Sequence, residues 1–257
     1  MGNLIYEVRL LKYGKCSLIF NLKEVHMFFR IVVCLAVGLL TACSTARMAK
    51  LPGLEADSVS YKITEMPGSF SSKGNLVFGP YMATDISRGW IKGKSSGWGF
   101  GKLAYKKEDK AQDYSYRFKG KRSWTGECRS SKGQKELGIV TGGFYVDLSC
   151  GFAPEEKGAS KWEFRFKGER SDRATGEIRL GKKRITVKPV DKMEGSPFKL
   201  AFNTGYYFYM GDKIVAAVDV VSKEGPVWFN NSLSQDERDK IAMAAAAFIL
   251  NQNVQDN

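Results

Sequence analysis

The chain has 257 residues, 43% of them hydrophobic, and a formal net charge of +13 from 40 Lys+Arg against 27 Asp+Glu. That length is enough for one sizeable core, and the charge favours polyanions or anionic membrane surfaces unless it serves solubility alone. The five cysteines include no CxxC pair, which argues against thioredoxin-like redox chemistry.

Residues 1–26 carry Glu7, Glu24 and an apolar patch at Leu18-Ile19-Phe20, unlike the short basic start of a secretory signal. They are expected to be a spurious or disposable extension, with Met27 the effective start. In residues 27–43, MFFRIVVCLAVGLLTAC, Arg30 precedes an apolar run from Ile31 to Ala42. The run is shorter than the roughly 20 residues needed to span a bilayer. Its length and basic flank suit a signal h-region.

The run ends in Leu40-Thr41-Ala42-Cys43, which resembles the lipobox of bacterial lipoprotein precursors. The competing reading is an ordinary cleaved signal that happens to hold a cysteine. The resemblance covers these residues and no more. It implies a diacylglyceryl group on the Cys43 thiol, cleavage before Cys43, and further acylation of the new amino group. Two or three acyl chains give stable anchoring where one would be marginal. Ser44 stands where an inner-membrane lipoprotein would carry aspartate. By the same resemblance the protein is expected in the outer membrane, lipid-anchored and facing the periplasm.

Losing residues 1–42 would take five of the 40 basic and two of the 27 acidic residues, leaving 35 against 25, or +10. The expected partners are lipopolysaccharide, anionic phospholipid, peptidoglycan or an envelope protein, and not nucleic acid. The sole histidine, His26, is lost as well. This excludes Ser-His-Asp and Cys-His catalysis and His-ligated zinc. A carboxylate pair, a Ser-Lys dyad or a calcium site stays open, but no cofactor, metal or catalytic residue is assigned. With Cys16 and Cys34 removed and Cys43 acylated, Cys128 and Cys150 remain as a pair in an oxidising compartment, which predicts a disulfide.

Residues 43–57 are small and polar, with Pro52-Gly53, and read as a lipidated flexible tether. From Ser58 the pattern is β. Val59, Tyr61 and Ile63 alternate with polar residues, and Leu76-Val77-Phe78 follows a turn. Residues 88–106 are rich in glycine and aromatics, with Trp90, Trp98, Phe100 and Tyr105 spaced for strands broken by Gly93 and Gly97. They predict either an aromatic binding groove, suited to sugar rings, or aromatic core beneath bulges.

An internal repeat follows. Arg-Phe-Lys-Gly at 117–120 recurs at 165–168, Arg122-Ser123 at Arg170-Ser171, and Thr125-Gly126-Glu127 at Thr175-Gly176-Glu177, after a two-residue insertion near Asp172-Arg173. Each copy predicts a β-hairpin. Tyr114, Tyr116 and Phe118 share one face, as do Trp162, Phe164 and Phe166. Arg117, Lys119, Arg165 and Lys167 take the other face. They form a candidate anion- or glycan-binding stripe unless they are an ordinary solvated face. Cys128 and the run Phe144, Val146, Leu148, Cys150 are expected to point to the core from adjacent strands.

Strand signal returns at 184–187, at 198–202 and in Tyr206–Tyr209 and Ile214–Val221 around Gly211-Asp212. Asp219 lies within the last of these, as a buried catalytic carboxylate or as a paired or wet-face residue. Ser234 and Glu237 form a capping box. Ile241, Ala244, Ala245, Phe248 and Ile249 then make an apolar stripe on a helix over about 235–250, expected to pack on the sheet.

The chain therefore predicts a mainly β domain, 58–257, an antiparallel meander of roughly a dozen strands with one C-terminal α-helix. A sandwich, a curved sheet or an open barrel would each fit. The expected role is non-enzymatic binding of an anionic envelope component or assembly partner, with a carboxylate-dependent hydrolase of envelope glycan as the alternative.

Overall fold

Alternation of buried and exposed residues carries the chain from Ser58 to Asn230 through thirteen antiparallel strands before it turns into a single helix. The strands are β1 (Ser58–Glu65), β2 (Leu76–Phe78), β3 (Tyr81–Arg88), β4 (Lys92–Trp98), β5 (Tyr105–Lys119), β6 (Ser123–Leu137), β7 (Val140–Pro154), β8 (Trp162–Gly168), β9 (Thr175–Leu180), β10 (Lys183–Val190), β11 (Gly205–Met210), β12 (Lys213–Asp219) and β13 (Pro226–Asn230). The helix, α1, is Gln235–Leu250. The computed structural model describes residues 46–50, 54, 57–68, 74–98, 105–137, 140–169, 173–200 and 202–251. The lipobox-like Leu40–Cys43, the signal segment, residues 1–26, Phe100 and residues 170–172 lie outside the described residues.

Pairing follows chain order from β4 to β13, and β13 then pairs with β1, β1 with β2 and β2 with β3. A further pairing, Met82–Arg88 of β3 against Tyr114–Lys119 of β5, closes twelve strands into a barrel and leaves β4 outside the ring. The open alternatives thus give way to a closed barrel, which has no free edge along the ring. β4 continues along the same edge of β5, opposite Tyr105–Ala111. The outer halves of β5, β6 and β7 run past the ring with it, since β8 meets β7 only from Val146 onward. These four strands form a flap at one end of the barrel.

The helix fills the barrel. Residues Ile241–Leu250 are all buried, and they share one hydrophobic cluster with inward residues from every strand of the ring. The sequence predicted one apolar stripe on a sheet; instead every side of the helix is covered, so Ala242, Met243, Ala246, Ala247 and Leu250 are core too. A helix apolar all round is a buried helix. Slim alanines face large wall residues. Phe248 stacks on Tyr206 at 3.6 Å and meets Phe164 and Phe166 edge-on. Tyr114 and Tyr116 donate their hydroxyls to the carbonyls of Ala247 (2.8 Å) and Met243 (2.9 Å), which satisfies two buried polar groups. Burial holds both phenols well above the usual tyrosine range.

The helix start is polar and stays at the barrel mouth. The Ser234 side chain accepts from the Glu237 amide, and Glu237 accepts from the Ser234 amide at 2.8 Å, the predicted capping box. Burial pushes the Glu237 carboxyl up. The Lys183 ammonium at 2.8 Å and Ser234 more than offset this and bring it below the ordinary value. Asp239 accepts from the Lys121 amide at 3.0 Å. The turns β5–β6 and β9–β10 therefore lie at this entry end, and the flap lies at the far end.

Both repeat copies are hairpins, β5–β6 and β8–β9. The register explains their shared glycines. Gly126 lies opposite Tyr116 and Gly176 opposite Phe166, and a Cβ on either would meet aromatic rings at about 3 Å. The extra residues of the second copy are two, an even number, so Gly176 still faces inward. The described residues of the run 198–202, 198–200 and 202, form no strand: they lie in the β10–β11 loop, where Lys192 and Lys199 form an isolated bridge. β3 carried no clear sequence signal, because a bulge between Thr84 and Ser87 breaks its alternation.

Residues 46–54, expected in the flexible tether, form a strap where they are described. Met48 and Leu54 cover an apolar patch on the outer wall made by Val190, Tyr207, Ala217 and Trp228. Backbone bonds fix the strap, with the Ala49 amide donating to Lys192 O and the Glu194 amide to Arg47 O, both at 2.9 Å. The Tyr207 hydroxyl also donates to Ala49 O. Gly205 makes room for Met48, whose sulfur would lie 2.1 Å from any Cβ there.

Cys128 and Cys150 are direct partners across β6 and β7 and form a disulfide buried in the core, with a Cα separation of 4.1 Å. Closing a loop of this size contributes roughly 3 kcal/mol. Cys128→Ser and Cys150→Ser are each expected to lower the melting temperature equally, and the double substitution to add little; additive losses would contradict the pairing. Phe248→Ala should cost about 3–5 kcal/mol in a denaturant titration, since the enclosed helix cannot shift to fill the gap. A loss below about 1 kcal/mol would mean that the helix is not enclosed.

Candidate functional site on the outer wall

Because the helix occupies the lumen, ligands must be met on the outer wall. The wall is polar around much of its circumference, with Arg117, Arg129, Arg165, Lys167, Arg179 and Arg184 all exposed. This differs from the apolar band of a membrane-spanning barrel. Among the described residues no helix is long and apolar enough to cross a membrane, and no group of three His, Cys, Asp or Glu is placed to hold a metal ion.

The predicted basic stripe divides. β5 runs toward the entry end and β8 runs away from it, so the two Arg-Phe-Lys-Gly copies point in opposite directions. Arg117 is level with Ala153 of β7, and Lys167 with Asp147, six residues away and about 20 Å along the strand. Arg117 is held by Glu155 at 2.6 Å and by Asp85 at 3.2 Å, the latter from a left-handed position (φ 50°) in the β3 bulge. Arg165 meets Asp147 at 3.0 Å. Lys119 is exposed at the entry end.

The two tryptophans do not meet either. Trp90 is 92% exposed in the link between β3 and β4, contrary to a core position. Trp98 ends β4 in a cross-strand row with Tyr105, Leu137 and Val140 at the tip of the flap. The strand between them separates the two by about 26 Å. Gly93 and Gly97 lie within β4 rather than breaking it.

What the register does bring together is a groove of about 780 Å³ over β5 to β8. One row across it reads Asp113, Arg129, Ser149, Arg165; the next reads Ser115, Glu127, Gly151, Glu163. The hollow lies over β7, whose outward residues there are the small Ser149 and Gly151, flanked by the long charged residues of β6 and β8. A Cβ on Gly151 would touch nothing within 4 Å. The Cys128–Cys150 disulfide ties β6 to β7 directly beneath this floor. Arg129 lies 3.8 Å from Asp113 and stays exposed, as does Arg165.

Chemically, the groove offers two guanidiniums about 10 Å apart by strand spacing, with a serine between them. Beside them are three carboxylates: Asp113 next to Arg129, and Glu127 and Glu163 at the same spacing as the guanidiniums and able to accept from hydroxyls. The aromatic residues of its lining, Tyr114 and Phe164, point into the core and offer no ring to a sugar. Arg129 and Gly151 were not singled out in the sequence, and Glu127 and Glu163 were noted in the repeat but not as binding residues. Alternation places them outward, but only the register across four strands shows that they converge.

Asp219 has a structural place. It faces outward from β12 but is buried under the strap, where it accepts from the amides of Met48 (3.0 Å), Val221 (3.0 Å) and Ser222 (3.2 Å). Burial raises its carboxyl above the ordinary 3.8, and the three amides offset only part of that. Below pH 3.8 the native and unfolded carboxyls are both protonated. Above it the native carboxyl keeps a proton that the unfolded one has lost, so this group's contribution to stability falls as pH rises until the native carboxyl ionises. Asp219→Asn should flatten that segment of the stability–pH curve. It should also release the strap, seen as faster hydrogen exchange at the Met48 amide, because one amide now faces the Asn NH2. An unchanged slope and unchanged exchange would contradict the assignment.

No protein-family model, curated protein or solved structure matches this chain.

Proposed function

We propose that the protein is a lipid-anchored lipoprotein of the cell envelope, acylated on Cys43 and held in the outer membrane facing the periplasm. In this reading it is not an enzyme. It binds an anionic envelope component, or an assembly partner presenting similar groups, in the groove over β5 to β8. The observation that carries the binding role is the paired rows: Arg129 and Arg165 beside Glu127 and Glu163 around an empty floor at Gly151. Guanidiniums grip phosphate or carboxylate in a fork, and carboxylates accept from hydroxyls. A ligand carrying both, such as a phosphorylated or carboxylated glycan, matches the two rows.

The alternative, a glycan hydrolase, draws on the Glu127–Glu163 pair, whose strand spacing of about 10 Å approaches the inverting range. An open face with both carboxylates exposed and no enclosing ring favours binding over catalysis.

Retention on lipopolysaccharide aggregates and on peptidoglycan tests the proposal. Binding to one of them should weaken as salt rises. A Cβ at position 151 meets nothing within 4 Å, so Gly151→Val should fill the floor, leave stability within about 0.5 kcal/mol and cut retention about tenfold, ~1.4 kcal/mol. Salt-independent retention, or full retention by the valine variant, would count against this groove.

A further inference from the structure

At the far end of the barrel the strap begins beside the β10–β11 loop, and the two together make a corner that is both apolar and basic. The loop exposes Phe198 by 74% and Phe202 by 45%. Its described backbone is tied on both sides: Leu200 donates to Asp191 O at 2.6 Å, Ser196 to Met193 O at 3.1 Å and Thr204 to Val190 O at 2.7 Å. A tied loop that holds two phenylalanines in water keeps apolar area available for another surface. The same strap and loop carry Arg47 and Lys192, both exposed, together with Lys50 paired to Glu194 at 3.8 Å and Lys199 paired to Asp191 at 3.1 Å.

We infer that this corner docks on anionic phospholipid, with Phe198 and Phe202 entering the boundary between headgroups and acyl chains and Arg47 and Lys192 meeting lipid phosphates. The inference rests on the acylation of Cys43 for its orientation. Only Ser44 and Thr45 separate Cys43 from Ala46, a span of at most about 11 Å of chain. Since Met48 is already seated on the wall, no long spacer remains, and the surface next to the strap is the one the anchor would hold at the bilayer. Basic residues add attraction to anionic lipid, and apolar side chains add burial. The flap projects from the opposite wall at the same end, so the corner reaches the bilayer with the barrel axis inclined.

The test uses the full protein extracted from membranes, its intact mass recorded, and reconstituted in phosphatidylglycerol-containing vesicles or in phosphatidylcholine alone. A polarity-sensitive fluorophore is placed by Phe198→Cys, or by Arg122→Cys on the entry-end β5–β6 turn as the control. Both positions are exposed, so neither substitution disturbs the core. A Cys43→Ser form supplies the unacylated comparison. The expected result is an acylated mass with a blue shift at position 198, larger with phosphatidylglycerol, and none at 122. An acylated, vesicle-bound protein whose probe at 198 stays water-like overturns the docking and leaves the anchor standing. A blue shift at 198 in a protein without lipid on Cys43 keeps the docking and discards the anchor. No lipid and no shift overturns both.

Discussion

Twelve strands close a ring wide enough to enclose a cavity, and something must occupy it. Here the occupant is the chain's own last helix, and the steric match between the two governs the rest of the molecule. The wall supplies the bulk, with Tyr114, Tyr116, Phe164, Phe166 and Tyr206, and the helix supplies slim residues, Ala242 and Ala244–Ala247. Either set alone would leave a void or a clash, since interiors tolerate neither. The same match fixes the helix along the axis. Two tyrosine hydroxyls reach specific carbonyls, and the polar first turn stays at the mouth, where Lys121 and Lys183 meet it.

A filled lumen moves function outward, and the outer wall is not uniform. Over β10 to β13 it is apolar and covered by the strap. Over β5 to β8 it is charged and hollow. The disulfide belongs to the second region: it ties β6 to β7 under the groove, and the β7–β8 ladder completes the span between Arg129 and Arg165, so that span is set by strands rather than by loops. Rigid elements hold side-chain spacing better than loops do.

Local features were legible in the sequence, and long-range ones were not. The hairpins, the inward aromatics of the repeat and the capping box all follow from patterns within short stretches, whereas the cysteine pairing comes from counting cysteines over the whole chain. The ring closure of β3 on β5 does not, because nothing local distinguishes a strand that pairs with its neighbour from one that also closes a barrel. The strap has only Met48 and Leu54 as described apolar contacts in a polar segment, so composition reads it as linker, whereas Gly205 and Asp219 make its seat. The basic stripe was misjudged for a related reason. Repeated sequence implies repeated local structure, but in an antiparallel ring an odd number of strand steps, three from β5 to β8, reverses direction. The helix stripe was read on the assumption of one covered side, although its run of alanines is equally compatible with being enclosed.

Asp219 links the strap to the rest of the wall. One oxygen holds the Met48 amide and the other holds the turn that leads into β13. A tension applied at residue 46, as an anchor upstream would apply, falls on that bond, on the Met48 side chain in its glycine gap, on two backbone bonds to the β10–β11 loop and on the Tyr207 hydroxyl bond to Ala49 O. None of these belongs to the ladders of the ring. The strap can therefore peel while the twelve strands and the enclosed helix stay intact. Stability of the barrel and attachment of the barrel to its own N-terminal segment are separable in this fold, and the buried carboxylate at position 219 is where they meet.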